Sequence, residues 1–386
     1  MMESSQLASE CPSTTDGDIA FMNLESARRR AWSRFWHDPA RPGVAELVVE
    51  QEHMTLQFKG DPAALDRLET LARHVACADT MPSRAALIQA QVASMAHRFA
   101  DARCYLAEAS RLGAPHEDTC RLLLNIDQAC GTDLDRVLEE RREIAGKSGR
   151  LEDLLPLGAL LGDLHEFSDV DHVYRQALQG YRDVSPFPVA WACFQLGMLW
   201  GELVPQPQPY RAAQWYQRAI GCLPGYTKAR IHLAEIYSSS GRTSDAEALL
   251  LPALESGDPE AVWRLADVLI LQGRQADAEA HLHAARVAFE ALLERHLLAF
   301  ADHGAEFYAG SGSNSRRALE LARFNVANRP TVRAYEQAHD IAFNSGNREA
   351  ASEVLAEARI RWGKAAAFAS SPLDKRFSGE RGGAAA

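Results

Sequence analysis

The chain has 386 residues, a formal net charge of −11 at neutral pH and seven cysteines. That length allows two average domains or one elongated array, with a large core in either case. The negative charge argues against nucleic acid, which needs a clustered basic surface. The cysteines (Cys11, Cys77, Cys104, Cys120, Cys130, Cys193, Cys222) are odd in number and form no CxxC pair, which argues against a disulfide or zinc framework.

Residues 1–18 are rich in Ser, Thr, Asp and Glu and lack the basic start and apolar stretch of a signal peptide. No later apolar run approaches the roughly 18 residues of a membrane span. The expectation is a cytoplasmic protein with no membrane segment and a disordered start. Residues 19–42 contain LESARRRAWSRFWHDP, in which Leu24, Ala27, Ala31, Trp32, Phe35 and Trp36 share one helical face. This segment reads as a capping helix for the first repeat, since stacked arrays need their ends covered. Its Arg cluster and aromatics alternatively suit a membrane-surface or calmodulin-target helix.

From residue 43 onward, apolar residues recur at helical spacing and Gly or Pro punctuates the runs, so the chain is expected to be all-α. Residues 43–148 hold degenerate helical repeats. In residues 149–295 a unit recurs clearly: a helix carrying a Leu-small pair, a turn, then a second helix beginning Ala-xxx-large-xx-Ala. Leu157-Gly158 pairs with Tyr174 and Ala177. Leu196, Gly197 and Trp200 are followed by Ala212, Tyr216, Ala219 and Pro224. Leu233, Ala234 and Tyr237 are followed by Gly241, Ala246, Leu250 and Ala253. Residues 296–362 close the series with Ala305, Tyr308, Ala318 and Pro330, then Tyr335, Gly346, Ala351, Leu355 and Ala358. Residues 363–386 are expected to be a disordered tail.

These positions resemble the tetratricopeptide repeat (TPR) family, and counting back by its 34 residues lands on Leu124 and Ala90. The resemblance implies a right-handed α-solenoid of about nine helical pairs over roughly 43–362. It also implies a concave groove lined by the first helix of each pair, at residues five and two before and two after the Leu of the Leu-small pair. Here those are Trp191, Phe194 and Met198, then Lys228, Ile231 and Glu235, then Glu260, Trp263 and Asp267. Met198, Glu235 and Asp267 stand where carboxylate-gripping members carry Asn, so a carboxylate clamp is not expected. An aromatic and acidic groove suits an apolar or basic peptide. Trp191 and Trp263 read equally well as packing residues between repeats.

Catalytic motifs are missing: no GxSxG, HExxH, P-loop or GxGxxG follows the required element. No catalytic residue, cofactor or metal is expected. His281 and His283 are two apart on a helix and cannot chelate together. His296, His303 and Glu306 lie at turn spacing, and His303 and Glu306 fall on a first helix near the groove. The loop AGSGSNS (309–315) reads as a turn in which Ser315 caps a helix, rather than as an anion cradle. The expected function is a non-enzymatic TPR-type scaffold that binds a protein or peptide as adaptor, assembly factor or regulator. The alternatives are a solenoid regulatory subunit that senses a small peptide or nucleotide, and an accessory subunit of an enzyme complex.

Overall fold

The computed structural model describes residues 12–78 and 81–374, and among these there are helices, turns and loops but no strand. The first helix, α1, runs Gly17–His37, with the Asp16 carboxylate accepting the amides of Asp18 and Ile19. Hairpins then succeed one another. They are α2 (Val44–Met54) with α3 (Ala63–Ala78), α4 (Pro82–Met95) with α5 (Phe99–Arg111), and α6 (His116–Ala129) with α7 (Leu134–Ser148). Next come α8 (Leu151–Asp163) with α9 (Phe167–Gly180), α10 (Pro186–Met198) with α11 (Pro209–Cys222), and α12 (Thr227–Ser239) with α13 (Thr243–Ala253). Then α14 (Pro259–Leu271) packs on α15 (Gln275–Ala309), which leads into α16 (Ser315–Asn328); α17 (Val332–Asn344) pairs with α18 (Arg348–Trp362), and a short α19 covers Ala366–Ala369.

The packing explains the repeat residues. A side chain at Gly158 would overlap the Tyr174 ring, and one at Gly197 would overlap Tyr216. A small residue on the first helix is therefore what lets the aromatic of the second helix lie across it. Ala234, Ala266 and Ala305, fully buried, take the same place in later hairpins. Gly241 turns the chain between α12 and α13 at φ 79°, a region that L side chains avoid.

α15 is where the register stretches. Its helical run is continuous in sequence, but His296 leaves helical geometry (φ −136°, ψ 49°). Phe289 and Phe307 stack at 4.9 Å between ring centroids. On one straight helix they would stand about 27 Å apart. The chain therefore folds back at a one-residue corner, and the two arms of α15 serve two neighbouring hairpins. The corner is pinned from outside: His296 Nε2 meets Asp66 Oδ1 at 2.9 Å, and Arg295 reaches Asp66 Oδ2 at 2.6 Å. The Gly-Ser loop beyond is a turn, with Asn314 rather than Ser315 as the cap, because its carboxamide oxygen accepts the Arg317 amide.

The array is not an open spiral. His97 O accepts from Asn328 Nδ2 across 231 residues, Asp66 meets His296 across 230, and Cys130 O and Gly131 O receive Arg361 across 231 and 230. At 34 residues per hairpin that is about 6.8 hairpins. One superhelical turn thus lands on the next. The N-terminal region closes another seam. Phe21 of α1 packs edge-on to Phe187, and Thr15 N donates to Val184 O. Farther along α1, Ala31 and Phe35 join the core of α2–α4. Glu52, fully buried, holds this end by accepting from Arg28, Trp32 and Arg67.

Two boundaries differ from the sequence reading. Helix begins at Gly17 inside the segment expected to be disordered, and residues 1–11 lie outside the described residues. At the other end Ala367, Phe368 and Leu373 are buried, because the tail folds back into the last hydrophobic cluster instead of leaving the array. Residues 375–386 lie outside the described residues.

Candidate functional site on the inner face

The first helices of successive hairpins stand side by side, so residues at equivalent positions form a continuous surface. From the π-helical turn after α10 through α12, α14, the second arm of α15 and α17, that surface carries linked charges. Arg264 is at the centre. Its Nη2 lies 2.6 Å from Glu235, 2.6 Å from Glu306 and 3.6 Å from Glu260, and its guanidinium rests 3.7 Å over the Trp263 ring. His232 Nδ1 contacts Glu202 at 2.9 Å and Glu235 at 3.3 Å, with its ring stacked on Tyr216. His303 reaches Glu260 at 3.5 Å. Arg333 binds Glu202 at 3.1 Å, and Arg329 binds Asp302 at 2.6 Å.

Burial and crowding divide these groups. Burial pushes the Glu235 carboxyl up to about 7, since Arg264 is shared with Glu260 and Glu306 and neutralises none of the three fully. Burial opposes ionisation of Glu202 as well, but the hydrogen bond from His232, with Arg333, outweighs it and holds Glu202 at about 2. Burial works against the His232 cation, yet Glu202, Glu235 and Glu260 together raise it above its ordinary value. Carboxyl groups outnumber fixed cations here: Glu202, Glu235, Glu260, Asp302 and Glu306 face Arg264, Arg329, Arg333 and Lys228, the last acting on Glu260. The surface is acidic and suited to holding cationic groups.

The expected groove residues separate into two groups. Ile231, Phe194 and Trp263 are core residues at 0%, 5% and 2% exposure. Trp263 packs against Phe289 and Phe307, which places it between repeats rather than in an open groove. Trp191 and Met198 are half-buried. Phe58, in the π-helical turn that ends α2, lies against Phe187, Trp191 and Tyr226, and Thr227 Oγ1 donates to Lys59 O. The chain's own N-terminal segment thus covers the aromatic part of the expected groove. Lys228, Glu235 and Asp267 are half-buried polar residues on the inner helices; Asp267 accepts from Ser311 of the Gly-Ser loop. His303 and Glu306, at turn spacing in the sequence, do enter the charged network.

The position rule selected Glu235 but missed Arg264, His232 and Glu202. Their signal was present: His232 and Glu235 are three apart and Glu260 and Arg264 four apart, so each pair shares a helix face. Which face turned inward was not written locally. Among the described residues there is no group of three or more His, Cys, Asp or Glu side chains arranged to hold a metal ion. No helix among them is long and apolar enough to cross a membrane.

Repeated hairpins, whose small positions recur 32 to 39 residues apart from Gly158 to Ala305 and which pack a tyrosine ring on Gly158 and on Gly197, define a TPR-like helical-repeat fold. No family model matches the sequence and no curated protein matches it. Among solved structures it is similar to yeast Tom70 at 12% identity and a TM-score of 0.36, covering 94% of this chain and 96% of that one. The human IFIT1 dimer with PPP-AAAA gives 13%, 0.33, 88% and 94%. The C-terminal part of a TPR repeat-containing protein from Cytophaga hutchinsonii gives 12%, 0.32, 76% and 97%.

Proposed function

We propose that this protein is a non-catalytic scaffold that binds a protein partner through its acidic inner face and favours a basic segment. The observation that carries the reading is the excess of carboxylate around Arg264, on side chains from three consecutive first helices, α12, α14 and the second arm of α15. A Lys- or Arg-bearing peptide laid across them would exchange with Arg264 for Glu235 and Glu306. An apolar peptide is less well served, because Phe58 already sits on the aromatic stretch. The proposed role is adaptor, assembly factor or regulator.

The test is fluorescence anisotropy with a labelled lysine-rich peptide and a labelled RNA oligomer. Glu306→Lys and Glu235→Gln, singly and together, are expected to weaken peptide binding at least tenfold while circular dichroism stays unchanged. Affinity should fall as salt rises. Peptide binding indifferent to both substitutions, or preferential binding of RNA, would overturn the reading. A second role, sensing of a small ligand, is favoured by a different part of the molecule.

A further inference from the structure

Arg141 of α7 is 8% exposed, yet its one hydrogen bond among the described residues runs from Nη2 to Asn125 Oδ1 at 2.9 Å. Its Nε is buried with no partner among them. Asp153 and Asp163 act on it only from a distance, and burial lowers its pKa to about 10. A buried guanidinium without an ion pair is costly and uncommon. Beside it lies a cavity of about 170 Å³ between α6, α7 and α8, lined by Arg121, Leu124, Asn125, Arg141, Ile144 and Pro156, among others. Pro156 stands inside α8, where it has no N–H for the Glu152 carbonyl and its ring crowds the preceding turn. The helix therefore cannot close tightly there.

We propose that this cavity is a binding site for one small oxyanion, a phosphate or carboxylate group, with Arg141 as its principal ligand. The guanidinium N–H groups that Asn125 leaves unengaged can present a fork that matches two oxygens of such a group. Asn125 holds the fork in place. The wall carboxylates are already engaged: Asp153 by Arg121 at 3.0 Å and Glu152 by Arg150 at 3.4 Å. The volume accommodates one oxyanion and a few waters, at about 30 Å³ per water. The site is separate from the acidic inner network and does not depend on the scaffold reading.

Thermal melts at fixed ionic strength, with chloride replaced stepwise by inorganic phosphate or by acetate, test the proposal. The wild-type midpoint should rise saturably with one of the two anions, and which one it is names the ligand class. Arg141→Met should lose the dependence, with at least tenfold weaker binding by phosphorus-31 line broadening or calorimetry. Its midpoint in chloride should equal or exceed that of the wild type, since an unpaired buried cation is removed. Arg141→Lys, which keeps the charge without the fork, should bind more weakly than the wild type, and it serves in place of Arg141→Met if that variant does not fold. An identical response in wild type and variant, or no response to either anion, would overturn the proposal. A midpoint far below wild type in chloride for a folded Arg141→Met would also count against it, by showing that Arg141 holds the fold by itself.

Discussion

Trp263 shows how one residue decides between a binding role and a packing role. Its ring is buried between Phe289 and Phe307 beneath Arg264, so Trp263→Ala should cost about 3–5 kcal/mol in denaturant unfolding. Glu235 makes a different kind of statement, because its protonation is linked to folding. Its folded carboxyl titrates near 7 against an ordinary 4.5, so the folded state holds an extra proton between those values. The stability it contributes is present at low pH and is lost as pH rises through that window. Glu202, held down at about 2, acts oppositely: its contribution is present above about 4.5 and is lost as pH falls toward 2. Urea midpoints measured between about pH 5 and 7 should therefore fall less steeply in Glu235→Gln than in the wild type.

At the scale of the element, the N-terminal segment is the piece whose docking is most exposed to test. Phe58 is 5% exposed and touches aromatics on α10 and at the start of α12. Phe58→Ala should cost about 3–5 kcal/mol. It should also raise amide exchange at residues 186–198 and 226–237 without loss of helix elsewhere. Exchange confined to residues 44–59 would show that the segment only rests on the surface. The hairpins themselves were legible in the sequence, because a Leu-small pair and its aromatic partner are local signals that physically touch. Gly197 and Tyr216 illustrate this: the two letters that named the repeat are the two residues in contact. A division between residues 295 and 296 was read from the repeat spacing, but the sharp corner at His296 was not, since no Gly or Pro marks it and Asp66, which pins it, lies 230 residues away. The covering of Trp191 by Phe58 was hidden for the same reason.

The whole molecule is held by contacts that a linear array lacks. Trp362 donates its Nε1–H to Pro330 O at 2.8 Å, and its ring lies where a side chain at Gly131 would stand. Trp362→Ala should cost roughly 2 kcal/mol and loosen the last hairpin from α6–α7. Small-angle scattering should then show a larger radius of gyration at unchanged helicity; an unchanged radius would place the clasp elsewhere. Superhelical closure arises from small rotations summed over about seven hairpins, so no window of sequence encodes it. The same accumulation sets which charges meet across the axis, as with Arg333 and Glu202, 131 residues apart.

Contact between successive turns also has a consequence in time. The surface around His97 and Gly131 is finished only by residues some 231 positions later in the chain. At synthesis rates of 5–20 residues per second, the first half waits roughly 10–50 s for the segment that completes it. During that interval the ledge around His97 and Gly131 is bare on the nascent chain, and chaperones or another nascent copy have access to it. Ribosome-bound chains halted before residue 328 should therefore be more sensitive to proteolysis near residues 97 and 131 than chains released at full length.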